Sequence, residues 1–262
     1  MFLFLTEYQE CFYTFMTSIF LLVSINLLKN KFEIFNEIPS GDNRKIHEIK
    51  VSRMGGISII SFFISIKFID YYPDLNIFFF CCAIVFIIGF IEDISSNFNY
   101  FTRFLLLIVV MFYLTFYYED FRITSIDYNN YSLLKNYIFL STFSFFGILF
   151  CINGSNFIDG LNGLTLGTSI IIFLNYIYLS LGNSDIIYMI SLIACISVIP
   201  LFFVNIYSGE LLTGDSGSYL IGFVYGCMGI FIYNAGIITP FHVACILFYP
   251  TTELIFTFSS EI

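Results

Sequence analysis

Nothing restricts this chain more than its succession of apolar runs. Windows long enough to cross the hydrocarbon core of a bilayer fall at about 11–28, 55–69, 76–91, 104–118, 136–152, 164–181, 186–205, 217–234 and 240–258. Of 262 residues, 58% are hydrophobic and 11% charged, and the mean hydropathy is +0.89. A soluble domain has no phase to face with so much apolar surface. The expected fold class is therefore all-α, a polytopic integral membrane protein of about nine transmembrane helices. No internal repeat or low-complexity linker divides residues 1–262, so one transmembrane domain is the reading. The seven cysteines form no C-x-x-C pair and mostly lie inside apolar runs, as small buried side chains rather than disulfides or zinc ligands. The first run leads into a basic loop without a small-residue cleavage pattern and reads as a retained first helix.

Charge placement orients the bundle. Lys29, Lys31, Arg44, Lys45, Lys50 and Arg53, six of the ten basic residues, share the first loop. Putting that loop in the cytosol puts the N-terminus outside. The loops at 92–103, 153–163 and 206–216 then also face the cytosol, while acids such as Glu119, Asp120 and Asp185 collect outside. The net charge of −9 says little about partners in a membrane protein, and no nucleic-acid partner is expected.

On that topology every polar cluster with chemical promise faces the cytosol. The longest is Asn153-Gly-Ser-Asn156-Phe-Ile-Asp159-Gly-Leu-Asn162-Gly163, which interrupts two apolar runs with a polar side chain at every third residue. On an α-helix that row drifts around the axis, and amides with a carboxylate at a membrane helix end are costly unless they bind something. A second cluster, Gly41-Asp-Asn-Arg44-Lys45-Ile-His47 with Arg53-Met-Gly55-Gly56, offers cations and free helix-start N–H groups to an anion; the same residues also serve as a topology signal and a lipid-headgroup contact. Third is Glu92-Asp93, where adjacent carboxylates repel and favour a proton or a shared cation, or else form a solvated helix end. The fourth, Gly214-Asp215-Ser216-Gly217-Ser218, suits a hard cation such as Mg²⁺, or else Asp215 or Ser216 caps the next helix. Carboxylates to hold a divalent cation and cations to hold a diphosphate are the inventory of metal-assisted phosphate chemistry.

These four motifs, in this order, resemble the polyprenyl-phosphate N-acetylhexosamine-1-phosphate transferases, whose superfamily includes the phospho-N-acetylmuramoyl-pentapeptide transferases. The resemblance runs from about Lys29 to Pro250. It implies attack of a polyprenyl (undecaprenyl) phosphate on the β-phosphate of a UDP-N-acetylhexosamine, giving UMP and a polyprenyl diphosphate-sugar. It further implies Mg²⁺, with Mn²⁺ as a substitute, a bacterial inner (cytoplasmic) membrane location, and a first membrane step in O-antigen, capsule or another cell-surface glycan pathway. Related enzymes are often dimers. By motif position Asp215 is the leading metal ligand, with Asp159 as a second. Asp159, Asn153, Asn156 and Asn162 line the nucleotide or diphosphate site. Asp93 deprotonates or orients the lipid phosphate beside Glu92, and Arg44, Lys45, His47 and Arg53 contact substrate phosphates.

The sequence departs from the family pattern in three places. Glu92 replaces the first Asp of the pair, lengthening the arm by a methylene. Asn162 stands where many members carry a second Asp. Members also continue into a cytosolic loop with a His-x-His-type motif and a tenth helix, whereas this sequence ends at Ser259-Ser-Glu-Ile262. His242, expected near the outer face, does not replace that motif. Two other readings compete: a truncated member without activity, and a secondary transporter, which predicts midplane polar groups and a repeat.

Overall fold

A computed structural model of the chain describes residues 2–29, 36–37, 51–70, 75–95, 99–126 and 136–260. Among the described residues nine α-helices carry the fold: α1 (Phe2–Leu28), α2 (Asn76–Ile94), α3 (Tyr100–Tyr117), α4 (Tyr137–Ile158), α5 (Leu164–Ser180), α6 (Asp185–Ser208), α7 (Gly214–Asn234), α8 (Pro240–Ile246) and α9 (Phe248–Ser260). A 3₁₀ helix, Arg53–Asp70, precedes α2, and two-residue strands β1 (Asn36–Glu37) and β2 (Val51–Ser52) pair antiparallel before it.

The polytopic all-α expectation holds, and long apolar helices among the described residues meet six of the nine expected spans. Among the described residues, α1 from Gln9 onward, α2, α3, α4, α6 and α7 are long and apolar enough to cross a membrane. Arg53–Ile64 and α5 are shorter apolar helices. The window 55–69 lies within the 3₁₀ helix, whose rise of about 2.0 Å per residue carries 15 residues roughly 30 Å. The same stretch as an α-helix would cover only about 22 Å. The ninth window is not one helix: Leu247 separates α8 from α9, and Pro240 at the first turn of α8 sets where the new helix begins.

Helix α7 is the axis of the bundle. It packs on α2, α4, α5, α6 and the 3₁₀ helix, while α1, α3 and α9 pack against these. An apolar helix without a polar face belongs in the middle, and nearly all of α7 is buried. Where lipid offers no hydrophobic drive between helices, small residues let backbones approach. A Cβ on Gly222 would stand 2.7 Å from the Cys151 carbonyl oxygen of α4, and one on Gly89 of α2 would stand 2.4 Å from the Asp215 carbonyl oxygen. Gly89→Ala is therefore expected to cost about 1–3 kcal/mol, read as a lower thermal midpoint of the detergent-solubilised protein. An unchanged midpoint would mean that α2 and α7 can separate freely.

Candidate functional site

The start of α7 is where the motifs meet. Thr213, the residue before the helix, makes no side-chain cap, and Gly214 takes a left-handed φ of 71°. A Cβ there would stand 2.3 Å from the Arg53 carbonyl oxygen and 2.9 Å from either Asp93 carboxylate oxygen, so the position is closed to other residues twice over.

The first N–H groups of a helix have no partner of their own. Here two remote carboxylates take them. Gly214 donates to Asp159 Oδ2 at 3.0 Å, Asp215 to Asp93 Oδ1 at 2.8 Å, and Ser216 to Asp93 Oδ2 at 3.0 Å. Negative charge at this end also complements the helix dipole. Local capping by Asp215 or Ser216, weighed from the sequence, is thus replaced by capping from the ends of α2 and α4. Asp93 is buried, whereas the surface of Asp159 is partly open. The atoms packed around Asp159 nevertheless push its carboxyl up to about 7, with a hydrogen bond from Thr213 pulling the other way and the charge of Asp93 adding to the rise.

Asp215 points differently. Its carboxylate lies 3.6 Å from Arg53 Nη1, the side chain 14% exposed and the arginine 37%. Glu92 is ion-paired with Arg103 and accepts from the Tyr219 hydroxyl at 3.1 Å. Asn156 accepts from Ser218 Oγ at 3.1 Å and faces the Tyr219 hydroxyl at 3.4 Å.

Of the residues expected from sequence, the structure brings together Arg53, Glu92, Asp93, Asn156, Asp159 and Asp215. Asn153 is spent on its own helix, donating to the Leu149 carbonyl at 2.8 Å. The third-residue row ends where α4 ends: Asp159 caps the helix and Asn162 is exposed in the turn beside Gly209. Arg44, Lys45 and His47 lie outside the described residues. Four participants were not foreseen. Arg103 enters the sequence reading only as the end of the 92–103 loop, although an arginine one turn into an apolar helix is a signal. Tyr219 offered none in a chain with 19 tyrosines. Asn205, buried at the end of α6, accepts from the Gly163 N–H and donates to the Leu211 carbonyl, holding the 159–163 turn against the strand-like segment before α7. Thr213 supports Asp159.

No group of three His, Cys, Asp or Glu among the described residues is arranged to hold a metal ion by itself. The donor set still fits Mg²⁺, which usually takes one or two carboxylates and leaves its remaining positions to water and substrate phosphate. Asp93 and Asp159 take backbone N–H groups and Glu92 is paired with Arg103, which leaves Asp215, beside Arg53, as the carboxylate for such a cation.

Comparison with known proteins places this arrangement. The family model described as glycosyl transferase family 4 matches residues 75–233, more than half of the chain and all of the cluster except Arg53. The chain belongs to glycosyl transferase family 4. A protein of Saccharolobus solfataricus named as a UDP-N-acetylglucosamine–dolichyl-phosphate N-acetylglucosaminephosphotransferase is 33% identical over 95 residues, covering 34% of this chain and 30% of the relative. The phospho-N-acetylmuramoyl-pentapeptide-transferase of Prochlorococcus marinus subsp. pastoris is 27% identical over 234 residues, covering 80% of this chain and 65% of the relative. The chain thus spans 30% and 65% of the lengths of these two relatives.

Proposed function

We propose that this family 4 member transfers a sugar 1-phosphate, an N-acetylhexosamine 1-phosphate, from a UDP-sugar to a polyprenyl phosphate at the cytosolic membrane face. The supporting observation is the convergence of carboxylates and two arginines around the start of α7, together with what the two relatives are named for. A lipid phosphate oxygen attacks the β-phosphorus, the bond from that phosphorus to the bridging oxygen breaks, and UMP leaves with the oxygen.

A phosphate monoester with a second pKa near 6 is largely dianionic at neutral pH, as phosphoserine is. It therefore needs orientation and charge balance more than a base. That suits Asp93, both of whose oxygens are engaged by α7. In this reading Asp93 and Asp159 fix the helix start, and through it Asp215, rather than remove a proton. Arg53 and Arg103 supply the positive charge for the phosphates, with Arg44, Lys45 and His47 as further contacts from the first loop. Asn156, held by Ser218, borders the diphosphate site. A divalent cation, Mg²⁺ or Mn²⁺, bound at Asp215 would neutralise developing diphosphate charge. Hydrogen bonds and charges at the reacting phosphates, rather than covalent chemistry, carry reactions of this type.

The test is UMP release by the detergent-solubilised chain with a panel of UDP-sugars. Release is expected only when both polyprenyl phosphate and Mg²⁺ are present, with an N-acetylhexosamine donor preferred. Release without the lipid would mean hydrolysis, and no release from any donor would overturn the reading.

A further inference from the structure

Tyr219 lies at the second turn of α7 with no exposed surface. A phenol so deep needs partners for its hydroxyl. It has two: it donates to Glu92 Oε2 at 3.1 Å and accepts from Asn156 Nδ2 at 3.4 Å. The other Glu92 oxygen is ion-paired with Arg103, whose guanidinium carbon sits 5.8 Å from the centre of the Tyr219 ring. One side chain of α7 therefore ties together α2, α3 and α4. Arg103 is not used up by this. Its Nε is buried without a hydrogen-bond partner among the described residues, its side chain is 22% exposed, and it lies within electrostatic reach of Asp215. A guanidinium has five N–H groups in a rigid fork suited to phosphate.

We propose that Tyr219 is a positioning residue: through Glu92 and its own ring it fixes the Arg103 guanidinium against the first turns of α7, where the guanidinium holds a diphosphate. The nature of the substrate rests on the transferase reading; the arrangement does not. Glu92 is then neither a substrate nor a cation group but the strut between phenol and guanidinium. Its reach matters, since Asp at this position falls one methylene short of bridging both. Removing the Tyr219 hydroxyl leaves Glu92 with one partner instead of two and lets the ion pair swing as a unit.

Binding of inorganic diphosphate in the presence of Mg²⁺, measured by calorimetry on the detergent-solubilised chain, tests this beside the UMP assay. Arg103→Gln is expected to weaken binding about tenfold or more and Tyr219→Phe about three- to tenfold. The double variant should be no weaker than Arg103→Gln alone, because the phenol acts only through the arginine. Glu92→Asp should reproduce the Tyr219→Phe loss, and it serves as the readout if Tyr219→Phe does not fold. Normal binding by Tyr219→Phe, losses that multiply in the double variant, or no diphosphate binding by the unsubstituted chain would each overturn the proposal. If the binding pattern holds while no donor yields UMP, the transferase reading fails and this one stands.

Discussion

Asp215→Asn is expected to lower turnover by at least about 10²-fold, the scale on which removing one group that stabilises transition-state charge is felt. Asp93 and Asp159 are engaged by the N–H groups of Gly214, Asp215 and Ser216, whereas the Asp215 carboxylate faces Arg53 across 3.6 Å and remains partly exposed. It is the acid best placed to share a divalent cation with substrate phosphates. The substitution leaves the backbone N–H of residue 215 on Asp93, so the helix start and the thermal midpoint should survive. Kinetics across a Mg²⁺ titration separate the cases: near-normal rates at limiting Mg²⁺ would remove Asp215 from the site.

Asp93→Ala should do the opposite, with stability failing first. It strips the acceptor from the N–H groups of Asp215, part-buried, and Ser216, buried, where an orphaned group costs about 1–3 kcal/mol when fully buried. It also removes negative charge from the positive end of α7. Asn at 93 keeps one acceptor oxygen and should lose roughly half as much. Both variants are expected to reduce activity because Asp215 rides on the same helix turn, and Asp93→Asn should cost more activity than Glu92→Gln. The check is thermal unfolding in detergent in parallel with turnover. If Asp93→Ala unfolds as the unsubstituted chain does while activity vanishes, Asp93 is doing chemistry instead of holding α7.

The contrast between Asp93 and Asp215 marks what could be read without coordinates. Membrane helices were legible because an apolar window of sufficient length has few alternatives, and the polar clusters were legible because an all-apolar chain has no other reason to carry them. Glu92, Asp93, Asn156, Asp159, Arg53 and Asp215 were found in this way. Their division of labour was hidden, since the partners of the Asp93 oxygens lie 122 and 123 residues further along the chain. Asn153 and Asn162 stand apart from that cluster, because a row at three-residue spacing drifts around the helix axis and the helix itself ends at Ile158. Neither the tight pitch of Arg53–Asp70 nor the break at Leu247 shows in the apolar windows, which register hydropathy and not pitch.

The most direct measurement uses a UDP-N-acetylhexosamine labelled separately in its β-phosphate and in its sugar, incubated with the chain, polyprenyl phosphate and Mg²⁺, followed by extraction of the lipid. Sugar 1-phosphate transfer predicts that both labels move into the lipid phase together, matched mole for mole by UMP in the water phase. Sugar label entering the lipid without the phosphate, or phosphate label remaining in water, would contradict it.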